Sequence, residues 1–193
     1  MSIIIRKPEN PKTATDQQKV YGVYNKSVLD TKVILFVTEV GKNIKTNLEN
    51  KISLKIGGKC ITEGYIKPGS IHIINYSSGS INGDFIEYHV LFECMVCLPV
   101  EGMLIECVSK TITKAGIHAQ VVDEDGNMPV TVFVARDHHQ IDNKFLSVKE
   151  NTKITVRVIG IRFELNDKCI CVIANLTENI SETVVKIKKT KNN

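Results

Sequence analysis

Residues 98–122 read Leu98-Pro-Val-Glu-Gly-Met-Leu-Ile-Glu-Cys-Val-Ser-Lys-Thr-Ile-Thr-Lys-Ala-Gly-Ile-His-Ala-Gln-Val-Val122, and they divide the chain into two differently patterned halves. Ahead of them lies one long apolar run, residues 85–98. At Pro99 the missing N–H ends ladder pairing, and Gly102 lets the backbone turn into a new sheet. Behind them the pattern predicts short alternating strands over 103–109, 117–122, 130–135, 154–159 and 169–174, parted by Gly, Asp, Asn and Lys turns. Five such strands predict a small Greek-key barrel of the OB type.

The first half reads differently. β-Branched Val33, Ile34 and Val37 predict a strand over 28–37. Ile44, Leu48, Ile52 and Ile56 recur every fourth residue, with lysines and polar side chains between them, which predicts a helix over about 40–54 ended by Gly57-Gly58. Strands are expected over 59–66, 70–76 and 85–98, with turns at Lys67-Pro68-Gly69 and across the Gly/Ser-rich residues 77–83. The expected organisation is a flexible leader over 1–25, an α+β domain over 26–98 with its helix packed on an antiparallel meander, an all-β barrel domain over 99–178, and a basic tail over 179–193. On the long strand, Ile86, Tyr88, Val90, Phe92, Cys94, Val96 and Leu98 form one apolar face, expected against the helix early and the barrel late.

Each domain, at roughly 80 residues, buries only about 60% of its extended-chain surface and should lean on a neighbour. No apolar run reaches the roughly 20 residues of a membrane helix, and the N-terminus lacks a secretory signal pattern, so an intracellular location is expected. Net charge is +4 and unevenly spread: residues 1–98 carry 12 basic against 9 acidic side chains, 99–178 carry 9 against 11, and 179–193 carry 4 against 1. A strong sequence-independent nucleic-acid binder carries a basic domain, so with a slightly acidic barrel any nucleic-acid contact is expected to be weak or confined to one face.

Six cysteines raise the question of zinc, but Cys94 and Cys97 are three apart on a strand and point to opposite faces. Cys169 and Cys171 read as core packing. The stretch Asp123-Glu-Asp-Gly-Asn-Met-Pro resembles a calcium loop, yet Met128 and Val134 occupy the positions where glycine and glutamate are required, so it reads as a hairpin turn. Asp137-His138-His139 has no accompanying nucleophile motif, and no phosphate loop or metalloprotease motif is present. Neither catalytic residues, nor a metal site, nor a cofactor are expected.

Alternation places Ile117, Ala119, Val121, Val130, Val132 and Val134 inside the barrel and His118, Gln120, Thr131, Phe133 and Ala135 outside. His118 and Phe133 then lie on the face that OB folds use for single strands, with Arg136, His138, Lys144 and Arg157 as flanking candidates for RNA contact.

The same residues resemble a known family. Residues 99–117, through Lys114-Ala115-Gly116, resemble the opening of the S1 motif in the stalk subunit of multisubunit RNA polymerases, the seventh subunit of eukaryotic RNA polymerase II and its archaeal counterpart. The resemblance continues through Val132-Phe133-Val134, Ile159-Gly160-Ile161-Arg162 and residues 170–176, and takes in Gly57-Gly58-Lys59-Cys60 and Gly64-Tyr65-Ile66, about residues 26–177 in all. It implies an N-terminal tip domain that docks on the polymerase core near the clamp and RNA exit, with Gly57, Gly58, Gly64, Tyr65 and Ile66 as docking elements. It implies an S1 barrel beside the nascent transcript, and an interdomain seam at Pro99, Gly102 and Gly116 where a second stalk subunit, of the class found in archaeal polymerases, binds. Where firm RNA-binding S1 barrels carry two aromatics around the glycine turn, this chain has Ile117 and His118, so weak RNA contact is expected. The composition, leader and lysine tail also resemble versions carried by large DNA viruses, which implies the host cytoplasm and virion as location, against the nucleus for a cellular protein. Two functions fit: a non-catalytic polymerase stalk subunit acting in initiation and elongation, and a free-standing S1/OB RNA-binding protein.

Overall fold

The computed structural model describes residues 22–139 and 143–177. The leader up to residue 21 and the lysine tail from 179 lie outside the described residues. The first sheet is built from β1 (Tyr24–Phe36), β2 (Cys60–Ile61), β3 (Gly64–Ile66), β4 (His72–Tyr76), β5 (Ser80–Asn82) and β6 (Phe85–Cys97), with helix α1 (Ile44–Ile56) between β1 and β2. β1 begins at Tyr24, four residues earlier than its apolar content predicts.

β6 is the hub of this sheet. β1 pairs with it along its full length, Tyr24 opposite Cys97 and Phe36 opposite Phe85. Its other edge is covered piecewise by β5, β4 and β3, laid end to end. This corrects the expected meander: strands adjacent in sequence share a partner instead of pairing in series. Two further corrections have local causes. The single strand expected over 59–66 is a hairpin of β2 and β3, reversed just before Gly64 with its φ of +125°. The loose stretch 77–83 contains β5, which folds back through Gly83 at φ +61°.

The helix begins at Ile44, later than periodicity predicts, because residues Val37–Glu39 form a 3-10 turn first. The Glu39 carboxylate accepts the Phe36 N–H at 2.9 Å and pairs with Lys51 at 3.3 Å, tying that turn to the helix. Leu48 and Ile52 are buried against Val33, Leu35, Ile66, Ile73, Tyr88, Val90 and Phe92. Phe92 is the largest fully buried side chain, a position where truncation to alanine costs about 3–5 kcal/mol.

The second sheet is a closed barrel of β7 (Leu104–Ile112), β8 (Gly116–Val121), β9 (Val130–Ala135), β10 (Lys153–Arg162) and β11 (Ile170–Leu176), with the short helix α2 (Asn143–Ser147) ahead of β10. The strands close in the order β10-β11-β9-β8-β7, with β11 parallel to β9 and every other pair antiparallel, as in an OB fold. Ile117, Ala119, Val121, Val130, Val132 and Val134 fill the interior as alternation predicts. On β11 the inward set is Ile170, Val172 and Ala174, so Cys171 is exposed and Cys169 half-buried, correcting their reading as core.

The two sheets meet over a packed joint. Cys94 packs beneath α1, whereas Cys97, on the opposite face, belongs to the barrel's buried cluster together with Cys60 and Tyr65. The expected apolar face of β6 therefore does not run on into the barrel; Val96 stays under the helix, Leu98 is 36% exposed, and the reverse face makes the junction. Burial raises the thiol pKa of Cys97 and Cys107 to about 12 and that of Cys94 to about 11. Burial also raises Cys60, reinforced by Asp167, to about 11. These four are protonated packing groups at neutral pH.

Polar contacts clamp the same joint. The Cys60 N–H donates to the Asp167 carbonyl and the Asn166 N–H to the Cys60 carbonyl, both at 2.8 Å. Tyr24 donates its hydroxyl to Asp123 at 3.0 Å, and Lys67 pairs with Asp125 at 2.7 Å while its ammonium sits 5.6 Å from the Tyr24 ring centroid. Burial raises the Tyr24 hydroxyl, helped by Asp123. Burial alone pushes the Asp123 carboxyl up, but hydrogen bonds from Asn127, Tyr24 and Asp125 outweigh it and hold the group below its ordinary range. Asp123 thus orders its own turn and anchors it to the first sheet. Among the described residues, no cluster of three or more His, Cys, Asp or Glu side chains is arranged to hold a metal.

Candidate nucleic-acid interface

β8 and β9 set His118 directly opposite Phe133. Their ring centroids are 4.8 Å apart with the planes tilted by 44°, so the pair presents a continuous aromatic surface on the outside of the barrel. Beside it runs an open groove of about 400 Å³, floored by β9 and β11 and walled by Phe133, Ile161, Arg162, Cys171 and Ile173. Ile173 is 49% exposed and Ile161 39%, an unusual amount of free apolar surface for a small barrel.

Two local features create this shape. Gly116 is buried beneath the Phe133 ring, and a Cβ there would collide with the Val134 carbonyl oxygen and lie 2.9 Å from the ring. Gly116, which the resemblance counts with the seam, thus sits in β8 of the barrel and seats Phe133. On β10 the register against β11 shifts between Val158 and Gly160. The inward set Ile154, Val156 and Val158 ends there, and past the bulge Arg162 lies opposite the exposed Cys171 on the groove side.

The other sequence-derived RNA candidates lie elsewhere or outside description. Arg136 holds its guanidinium 5.5 Å from the Phe145 ring and reaches the Thr113 carbonyl at 3.5 Å, while its buried Nε finds no acceptor among the described residues. Arg157 donates to the Gly102 carbonyl at 3.3 Å. Neither lines the groove. His138 falls in the 3-10 turn Arg136–His139 and Lys144 in α2, and their side chains are outside the described residues. Sequence reasoning missed Arg162, the one arginine or lysine in the lining among the described residues, which also pairs with Glu164 at 3.3 Å. Only the bulge brings it to this face, and strict alternation hides it.

The docking candidates divide similarly. Tyr65 and Ile66 are buried, 3% and 0% exposed, so their side chains serve the two cores. Gly57 caps α1 through its N–H to the Ser53 carbonyl, and Gly58 turns at φ +71°. Gly64 lies so close to Cys97 that a Cβ would collide with its carbonyl oxygen. At the seam, Pro99 is buried. Gly102 turns at φ +82°, its N–H bonded to the Val158 carbonyl at 2.9 Å.

Compared with models of known protein families, the chain matches none. Individual proteins do match. A protein of Acanthamoeba polyphaga mimivirus assigned as a DNA-directed RNA polymerase subunit is 27% identical over 180 residues, covering 85% of this chain and 87% of its own length. The DNA-directed RNA polymerase II subunit RPB7 of Glycine max is 22% identical over 156 residues, 72% of this chain and 85% of the plant protein. Subunit 7 of the Arabidopsis thaliana enzyme is 22% identical over 153 residues, 71% and 84%. Matches of that length necessarily run through both sheets. The chain is thus similar to DNA-directed RNA polymerase subunits, RPB7-type subunits of two plant polymerases II and a viral polymerase subunit among them. No helix among the described residues is long and apolar enough to cross a membrane.

Proposed function

We propose that this chain is a non-catalytic stalk subunit of a DNA-directed RNA polymerase, acting inside the cell in transcription initiation and elongation. The observation that carries the reading is the similarity to polymerase subunits across the sheet and the barrel together, since an unrelated OB-fold protein would share only the barrel. Residues 26–98 act as the docking domain. The Gly57–Gly58 turn and the backbone of the β2–β3 hairpin offer one contact to the core. The sheet end farthest from the joint offers another, where Phe36 and Phe85 stack with centroids 4.6 Å apart beside Val37 and Ile81. The joint around Pro99 and Gly102 is where a second stalk subunit binds.

The barrel, residues 99–178, faces nascent RNA through the His118–Phe133 groove. Stacking of a base on such a surface is worth about 1–3 kcal/mol. With Arg162 as the lining's only lysine or arginine among the described residues, the phosphate contribution is small and the contact is weak and sequence-tolerant. A subunit tethered to the enzyme needs no more, because attachment supplies a high effective RNA concentration.

The test is affinity purification of the tagged full chain from its native cell or virion after nuclease treatment, followed by partner identification. Stoichiometric recovery of the large polymerase subunits is expected. Recovery of no polymerase, combined with tight RNA binding by the isolated chain, would overturn this reading in favour of a free-standing RNA-binding protein.

A further inference from the structure

Strand register arranges the outer side chains of the barrel wall in two rows. In the first, His118 on β8 lies opposite Phe133 on β9, Phe133 beside Ile173 on β11, and Ile173 opposite Gly160 on β10. In the second, Gln120 lies opposite Thr131, Thr131 beside Cys171, and Cys171 opposite Arg162. The first row is aromatic at one end and empty at the other. A Cβ on Gly160 would meet no atom within 4 Å, so the missing side chain leaves the space next to Ile173 open.

The polar side chains of the groove stand away from that space. Thr131 and Arg162 belong to the second row, the hydroxyl of the first 3.5 Å from the Ile170 carbonyl and the guanidinium of the second paired with Glu164. His118 stands on β8, with β9 between it and Ile173. From Phe133 to Gly160 the first row therefore offers no side-chain donor or acceptor.

This arrangement discriminates between bases. A base stacked on Phe133 turns one edge over Ile173, and a polar atom pressed there without a partner weakens binding by about tenfold or more. The Watson–Crick, Hoogsteen and sugar edges of adenine and guanine all carry a ring nitrogen, a carbonyl or an amino group. The C5–C6 edge of uracil and cytosine carries only C–H groups. We propose that the groove is a pyrimidine subsite: the base stacks on Phe133 with its C5–C6 edge over Ile173 and Gly160, its hydrogen-bonding edge toward solvent and its phosphate on the Arg162 side. This rests on the reading of the barrel face as an RNA contact and adds the class of base that the face takes. Uracil and cytosine present the same edge, so the two are not told apart and broad sequence tolerance is kept.

A methyl group on C5 reports where that edge lies. Fluorescent octamers of uridine and of 5-methyluridine, which differ only by that methyl, are compared by anisotropy on the full chain at low salt. Burying one methyl should tighten binding about fourfold, the equivalent of about 0.8 kcal/mol. An adenosine octamer should bind more weakly than uridine, and Phe133→Ala should weaken all three. Ile173→Ala, at a half-exposed position, and Gly160→Ala, whose Cβ meets nothing in the folded chain, should each erase the gain from the methyl. Equal or weaker binding of 5-methyluridine, tighter binding of adenosine, or a methyl gain that survives both substitutions would overturn the subsite while Phe133-dependent RNA binding stands. Loss of Phe133 dependence for every octamer would overturn the RNA reading of this face as well.

Discussion

The sheet of Tyr24–Cys97 and the barrel of Leu104–Leu176 both bury alternate side chains, yet among the described residues the first ends in an unpaired edge strand of 13 residues and the second closes on itself. An open sheet edge can be recognised through its backbone. A closed barrel has every ladder position filled and can offer a ligand only the side chains on its outer faces. The proposed function divides the partners along the same line, protein for the sheet and stacked bases for the barrel. The joint between them is where the distinction stops, because Cys60, Tyr65 and Cys97 come from the sheet and pack in the barrel's core.

The largest effect should come from breaking that joint. Gly64→Ala drives a Cβ into the Cys97 carbonyl and forces a φ of +125° on a residue that resists it. A loss of about 3 kcal/mol or more is expected in denaturant unfolding. Both sheets should be affected in hydrogen exchange; protection lost in one sheet alone would show that the cores are independent.

Phe133→Ala tests the barrel's outer face. Removing half of the ring pair should weaken single-stranded RNA binding by about 1–3 kcal/mol per base stacked there, measured by titration at low salt. Unchanged affinity would remove the groove from consideration. Gly102→Val is expected to cost about 1–2 kcal/mol, because φ +82° is strained for a side chain although the space around it is open. Its effect should concentrate on the angle between sheet and barrel, read by small-angle scattering, more than on either fold.

The smallest change is Tyr24→Phe, which removes one bond to Asp123 and should cost about 1 kcal/mol. A double-mutant cycle with Asp123→Asn should return coupling between the two sites. The pH dependence has a definite sign. The Asp123 carboxyl is lowered in the folded state, so its contribution is complete above the ordinary aspartate range and lost as pH falls through the depressed folded value. Asp123→Asn should flatten that acid limb of a stability profile.

The barrel was legible because its strands are short, separated by turn residues and strictly alternating, from Ile117 through Val134. Where alternation breaks, legibility stops: the bulge after Val158 hid Arg162, and Cys171 was assigned inward because the strand's phase cannot be fixed from two thiols flanking isoleucine. The contact between Tyr24 and Asp123 was invisible for another reason. The two are 99 residues apart, and neither a lone tyrosine at a strand start nor an aspartate in a turn signals a partner. At Gly116 the sequence showed a turn glycine but not its use, which is space for the Phe133 ring.

The division of partners can be measured directly with a photo-crosslinking amino acid placed in the full chain at Ile81, on the far end of the sheet, and separately at Phe133, with each variant assembled into transcribing polymerase. Position 81 is expected to crosslink to a polymerase polypeptide and position 133 to nascent RNA. Protein crosslinks from both positions, or RNA crosslinks from position 81 alone, would contradict that division.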